Sequence, residues 1–100
     1  MAENSKLPYD IKYKKPAEKF FRKHEDVRAQ YESAIHELFL GKHPEKVDRK
    51  TLGGKKSTYY RIKIGDWRVI YMVIGGEIVL INTLLVGLRG DVYKKMGGLK

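Results

Sequence analysis

Tyr59-Tyr-Arg-Ile-Lys-Ile-Gly-Asp-Trp-Arg-Val-Ile-Tyr-Met-Val-Ile-Gly-Gly-Glu-Ile-Val-Leu-Ile-Asn-Thr-Leu-Leu-Val86 is the stretch whose reading decides the fold. β-branched and aromatic residues fill three runs, Ser57–Ile64, Trp67–Ile74 and Glu77 to about Val86, and Gly65-Asp66 and Gly75-Gly76 separate them. Glycine-bearing pairs of this kind close tight antiparallel hairpins, so the stretch predicts a three-stranded meander. The last two runs are apolar on both faces, as in central strands covered on each side.

Outward from the meander, Arg89 to Lys95 reads as a last turn or short helix. Upstream, Lys42 to Lys56 reads as a basic loop that carries glycine. Before it, Val27, Tyr31, Ala34, Ile35, Leu38 and Phe39 recur at the spacing of one buried helical stripe, which Gly41 and Pro44 stop. Asp26 is the expected N-cap of that helix. Pro16 suits the first turn of a shorter helix running to about His24. Leu7 to Tyr13 alternates apolar and polar residues, the period of a half-exposed strand. The expected fold is α+β: an N-terminal strand, a two-helix hairpin, then a three-stranded antiparallel meander with the helices packed on one sheet face. One domain over residues 1–100 is expected, with 1–6 and 96–100 as flexible ends.

The composition agrees with that picture. The chain has 100 residues, 42% hydrophobic and 11% aromatic, which is globular and too apolar for wholesale disorder. It contains no cysteine, which rules out a disulfide framework or a thiolate zinc site and fits a reducing compartment. Met1 to Lys15 lacks the apolar core of a signal peptide, and Ile78 to Leu88 is too short to cross a bilayer. The expectation is a cytoplasmic protein with no membrane partner. With 21 Lys+Arg against 12 Asp+Glu the formal net charge is +9, a field that attracts polyanions.

The tight turns allow pairing to be worked out from the sequence. With Gly65-Asp66 as the loop, Lys63 faces Arg68 and Arg61 faces Ile70. Tyr59, Arg61, Lys63 and Arg68 then share one face, while Tyr60, Ile62, Ile64, Trp67 and Val69 take the other. With Gly75-Gly76 as the second loop, Arg68 faces Thr83, and Leu85, Gly87 and Arg89 continue the parity of the basic side. Like charges directly opposed destabilise a sheet pair by up to about 1 kcal/mol. Long basic side chains reaching out to water would account for such a face. A bound phosphate would account for it too, since arginine offers phosphate a planar fork and lysine a point charge or a base. Tyr59 and Tyr93 add stacking surfaces, which makes single-stranded RNA the natural ligand.

Three motifs, Tyr60-Arg-Ile-Lys-Ile64, Gly65-Asp-Trp-Arg-Val-Ile-Tyr71 and Val86-Gly-Leu-Arg-Gly-Asp-Val-Tyr93, resemble the RelE/ParE superfamily of toxins from type II toxin–antitoxin pairs. The resemblance runs from about Ile11 to Tyr93. It implies the RelE-like microbial RNase fold and a toxin silenced by a cognate antitoxin, acidic and partly disordered when free. The RelE branch is an mRNA interferase, an endoribonuclease that cuts messenger in the ribosomal decoding site by attack of a 2′-hydroxyl on the scissile phosphate. By the same resemblance Lys63 is the general base and Arg68 supports the phosphate in the transition state. Arg89 serves the leaving group, Tyr93 stacks on the nucleotide, and Arg61 stands where the branch usually has lysine. Val92 precedes Tyr93 where a related branch has a catalytic histidine, so the chemistry would rest on lysine and arginine. The implied partners are the antitoxin, the ribosome and mRNA. The alternatives are a gyrase inhibitor of the ParE branch, whose members usually lack the lysine-and-arginine set, and a non-catalytic RNA-binding module.

The remaining basic residues, Arg49, Lys50, Lys55 and Lys56, are read either as a solvated loop or as a grip on RNA phosphates. Trp67 reads as packing at a strand end. His24, His36 and His43 match no zinc spacing, and Gly54-Lys-Lys-Ser lacks the upstream glycine of a phosphate-binding loop. No cofactor and no metal is therefore expected.

Overall fold

Alternating apolar residues, Tyr9, Ile11 and Tyr13, turn one side of β1 (Tyr9–Tyr13) inward while Asp10 and Lys12 stay exposed. The computed structural model describes residues 8–52, 59–76 and 78–96. The elements after β1 are α1 (Lys15–Lys23), α2 (Glu25–Leu40), a 3-10 turn (Pro44–Lys46), β2 (Arg49–Leu52), β3 (Tyr59–Ile64), β4 (Trp67–Ile74), β5 (Val79–Leu88) and α3 (Arg89–Met96). Of the expected flexible stretches 1–6 and 96–100, residues 1–6 and 97–100 lie outside the described residues, as do Lys55 and Lys56, while Met96 is the last residue of α3.

The strands form one sheet in the order β1-β5-β4-β3-β2, with β1 parallel to β5 and the other pairs antiparallel. Pro16 sits in the first turn of α1, as its fixed φ favours. Asp26 is not the cap of α2: the helix starts one residue before it, and His24 occupies the N-cap position without a side-chain bond. Glu25 and Asp26 instead lie in the first turn, where their charge suits the helix dipole. Val27, Tyr31 and Ile35, spaced by four, are buried. With Ala17 and Phe21 of α1 they pack on Ile62, Ile64, Val69, Tyr71, Ile81 and Val86, the helix-side face of the sheet. Phe39, expected on the same stripe, is 37% exposed at the end of α2.

Two further expectations fail, both by local backbone detail. Arg49–Leu52 is not loop but a short edge strand paired with β3. Its residues are mostly polar and exposed, so it carries no alternation to announce it. The second hairpin is not closed by Gly75-Gly76 alone: Ile74 lies opposite Leu80, three residues later than a two-residue loop would place its partner. A bulge between Ile70 and Tyr71 then leaves Leu84 unpaired on β5 and advances the register by a further residue. The partner of Arg68 is therefore Gly87, not Thr83.

The two offsets have opposite effects on side-chain direction. The longer loop reverses the faces of β5, and the bulge restores them toward the β3–β4 turn. Thr83 consequently points to the helix side, where its Oγ1 lies 2.7 Å from the Tyr31 hydroxyl, both fully buried. Burial pushes the Tyr31 hydroxyl well above the usual tyrosine range, against the smaller opposing effect of that hydrogen bond. Beyond the bulge, Leu85 and Gly87 return to the side expected of them. Leu84 and Leu85 both join Ile70 and Val92 in a second buried cluster, which seats α3 on the face opposite the helical hairpin.

Candidate nucleic-acid interface

The face seated under α3 carries the basic residues. Sheet parity places Lys50 of β2, Tyr59, Arg61 and Lys63 of β3, and Arg68 of β4 on it. Register sets Lys63 directly against Arg68, and Lys50 directly against Arg61. The turn that makes this register is Gly65-Asp66, where Gly65 has φ +59°, a conformation glycine takes without steric cost. β5 ends at Leu88, one residue past the Gly87 that faces Arg68, and the next residue, Arg89, opens α3. Tyr93 follows one helical turn later on the same side as Arg89 and is 40% exposed. The amide groups at the start of α3 add their own positive potential to Arg89.

The basic side chains differ in freedom. Lys63 and Arg89 are exposed. Arg68 is half-buried, and its Nη1 donates to the carbonyl oxygens of Gly65 and Trp67, 3.1 Å from each. Those bonds fold the guanidinium over the turn, so it cannot swing away from Lys63 without losing them. Arg61 is the most covered, with its side chain 13% exposed and its Nη1 donating to Asp48 Oδ1 at 3.1 Å. Its Nε is shielded from solvent and has no partner. Among the described residues, no carboxylate lies within ion-pair distance of Lys50, Lys63, Arg68 or Arg89. The face is a concentration of positive charge, and among the described residues Asp48 is the one carboxylate paired to a cation on it.

Asp48 was missed by the sequence reading. The Lys63 amide donates to the Asp48 carbonyl, which continues the β2–β3 pairing by one step and gives Asp48 the parity of Lys50. Only knowledge of β2 would have revealed it. Tyr59 is half-buried beside Leu52 and Met72 at the edge of the second cluster. Arg49 stands on the other face, its guanidinium carbon 4.9 Å from the centre of the Tyr60 ring. There it lines a cavity with Phe39, Tyr60 and Tyr71, apart from the basic face. The histidines are scattered: His24 stacks on Phe20, His36 Nδ1 lies 3.3 Å from the Tyr9 hydroxyl, and His43 Nδ1 is 3.1 Å from Glu45. Among the described residues, no three His, Asp or Glu side chains are placed to share a metal ion. No described helix is long and apolar enough to cross a membrane.

The arrangement gathers on one face positive charges of the kind that pair with phosphate and sets a half-exposed tyrosine ring beside them. Comparison with known proteins places the chain. It is similar to the RelE–RelB complex of Pyrococcus horikoshii OT3, with 28% identity over 84% of this chain and 98% of that one, at a TM-score of 0.63. It shares the fold of the RelB–RelE antitoxin–toxin complex of Methanococcus jannaschii, at 23% identity, 83% and 95% coverage, and a TM-score of 0.54. No curated protein matches it. The model of the family described as ParE toxin of type II toxin-antitoxin system, parDE, matches residues 11–89. With that match spanning most of the sheet and both hairpin helices, the chain belongs to the ParE toxin family, within the RelE/ParE superfamily of type II toxins.

Proposed function

We propose that this toxin is an endoribonuclease that cleaves messenger RNA in the ribosomal decoding site and is silenced by a cognate antitoxin. The observation that carries the reading is the convergence of Lys63, Arg61, Arg68 and Arg89 on one face, with Tyr93 beside them. In this reading the substrate 2′-oxygen attacks the adjacent phosphorus, the O2′–P bond forms and the P–O5′ bond breaks. Lys63 takes the 2′-hydroxyl proton, and Arg68 and Arg61 stabilise the charge that grows on the phosphoryl oxygens. Arg89 neutralises the departing 5′-oxygen, which leaves with a proton from solvent. Arginine stays protonated at cellular pH, so charge stabilisation is its role rather than acid catalysis. Nothing in this set aligns the attacking oxygen with the leaving one, and the ribosome would supply that alignment.

An antitoxin partner is supported by the Pyrococcus neighbour, which is itself a RelE–RelB complex. The net charge of +9 favours an acidic one. Such a partner would cover the basic face or draw away α3. The test adds purified protein to a translating extract and maps messenger ends by primer extension, beside a Lys63→Ala, Arg89→Ala double variant. Cuts inside ribosome-bound codons that vanish with the variant support the reading. A second reading, a gyrase inhibitor, is favoured by the match to the ParE model. Intact messenger together with inhibited gyrase supercoiling would establish that one instead.

A further inference from the structure

A second set of cations lies on the other side of the same sheet end. Lys15, Lys19 and Lys23 recur every fourth residue along α1 and all are exposed. Like charges one turn apart on a single helix face repel, and the one acidic residue of α1, Glu18, is paired to Arg22, 3.7 Å away. Lys19, Lys23 and Arg22 rim a shallow depression of about 350 Å³ whose remaining lining is Phe20 and His24. The His24 ring stacks on Phe20 at 4.2 Å and 15°, and Trp67 meets Phe20 edge-on at 4.7 Å. All three rings are half-buried, so they present ring surface to solvent beside the lysines. Trp67 immediately precedes Arg68 and pairs with Ile64, which follows Lys63. The ring cluster and the basic face are thus two sides of one sheet end, joined around the Gly65-Asp66 turn.

We infer that α1 and this ring cluster form a second RNA subsite, which holds the segment flanking the one on the basic face. The inference rests on the RNA reading above. Two features favour nucleic acid over an acidic protein: lysines with no ion-pair partner among the described residues alternate with ring surface, and the patch adjoins the cations Lys63 and Arg68 across the turn. A strand that leaves Lys63 and Arg68 passes the turn and meets a stacking surface with phosphate partners on its rim. The subsite would lengthen the bound RNA without touching the reacting atoms.

The test measures binding of 2′-O-methyl oligouridines, which cannot be cleaved, of about four and about twelve nucleotides, a span typical of single-strand sites. The variant is Lys19→Gln, Lys23→Gln, two exposed positions whose change leaves the core intact. It should bind the longer RNA about tenfold more weakly and the shorter one as the parent does. Its salt slope for the longer RNA should shrink by about 1.4, at about 0.7 per phosphate contact on single strands. Fluorescence of the single tryptophan, Trp67, should respond more to the longer RNA in the parent than in the variant. Equal affinity of variant and parent for the longer RNA would overturn the inference while leaving the first site standing. If a Lys63→Ala, Arg68→Ala variant also bound both lengths as the parent does, the RNA reading itself would fall. Poly-glutamate of matched charge that bound as tightly as the longer RNA, and weakened equally in the glutamine variant, would assign α1 to an acidic protein and overturn the subsite.

Discussion

Replacing Lys63 by glutamine should make the toxin more stable and less active at once. Lys63 lies directly opposite Arg68, and the Arg68 guanidinium is held to the carbonyls of Gly65 and Trp67, so the pair relaxes only through the lysine. Opposed residues hold their Cβ atoms about 5 Å apart. Charges about 6 to 8 Å apart in a water-like medium repel by about 0.5 to 0.7 kcal/mol. Arg61 and Arg89 add to this, up to the roughly 1 kcal/mol seen for like-charged cross-strand pairs. For a chain of 100 residues the gain corresponds to a rise in melting temperature of about 2 to 8 °C. Thermal unfolding at low salt should show it. At about 1 M salt, where charges are screened beyond about 3 Å, it should disappear. Cleavage in the translating extract, read at the extract's own ionic strength, should be lost. A variant destabilised equally at both salts would show that Lys63 is held by packing rather than strained by charge. Stabilisation with cleavage intact would remove Lys63 from the chemistry.

Asp48→Ala leaves the mostly covered Arg61 among cations, and urea unfolding should report a loss of about 1 to 2 kcal/mol. That is below the roughly 3–5 typical of a fully buried pair, because the Asp48 side chain is 56% exposed. Adding Arg61→Met should restore most of the loss. Tyr31→Phe strands the buried Thr83 hydroxyl without its partner, at about 1 to 3 kcal/mol. Thr83→Val on top of it should recover most of that in a double-mutant cycle. Burial pushes the Tyr71 hydroxyl from 10.0 up to about 12, with the nearby Arg49 charge opposing. The folded state therefore keeps a proton that the unfolded chain gives up. This stabilisation is complete below about pH 10 and is lost as pH climbs toward about 12, a change of a few kcal/mol. Tyr71→Phe should flatten the fall in stability across that window in pH-dependent urea titrations.

The elements that were legible share a cause: their pattern is set by burial on one face. Tyr9, Ile11 and Tyr13, and the series Val27, Tyr31 and Ile35, face a core, so period and structure coincide. The Gly65-Asp66 turn was legible because two-residue hairpins fix register rigidly, and with it the juxtaposition of Lys63 and Arg68. β2 was not, because an edge strand of Arg49, Lys50 and Thr51 buries almost nothing. Its absence from the reading hid Asp48 and the difference in facing between Arg49 and Lys50. The β4–β5 register was not legible either, since strands apolar on both faces read the same in any register. Leu84 and Leu85 give no sign of which one is extra. The basic wall of β3 and β4 was expected all the same, because it depends only on the first hairpin and not on the second.

The parallel pairing of β1 with β5 bears on how the chain folds. Tyr9 finds its partner at Val79, whereas every other neighbour in the sheet is close in sequence. Closing so long a loop is entropically slow, and contacts of this range govern folding rate more than stability. The hairpin of β3 and β4 can form by itself, but the two N-terminal helices have no finished surface to lie on until β5 joins both β1 and β4. Vectorial synthesis delivers β1 and its helices long before that strand. Arg89 and Tyr93 come later still. A newly made toxin therefore adds Arg89 and Tyr93 to the cations of the β3–β4 hairpin last, which leaves an interval in which a partner can meet the chain before that face is complete.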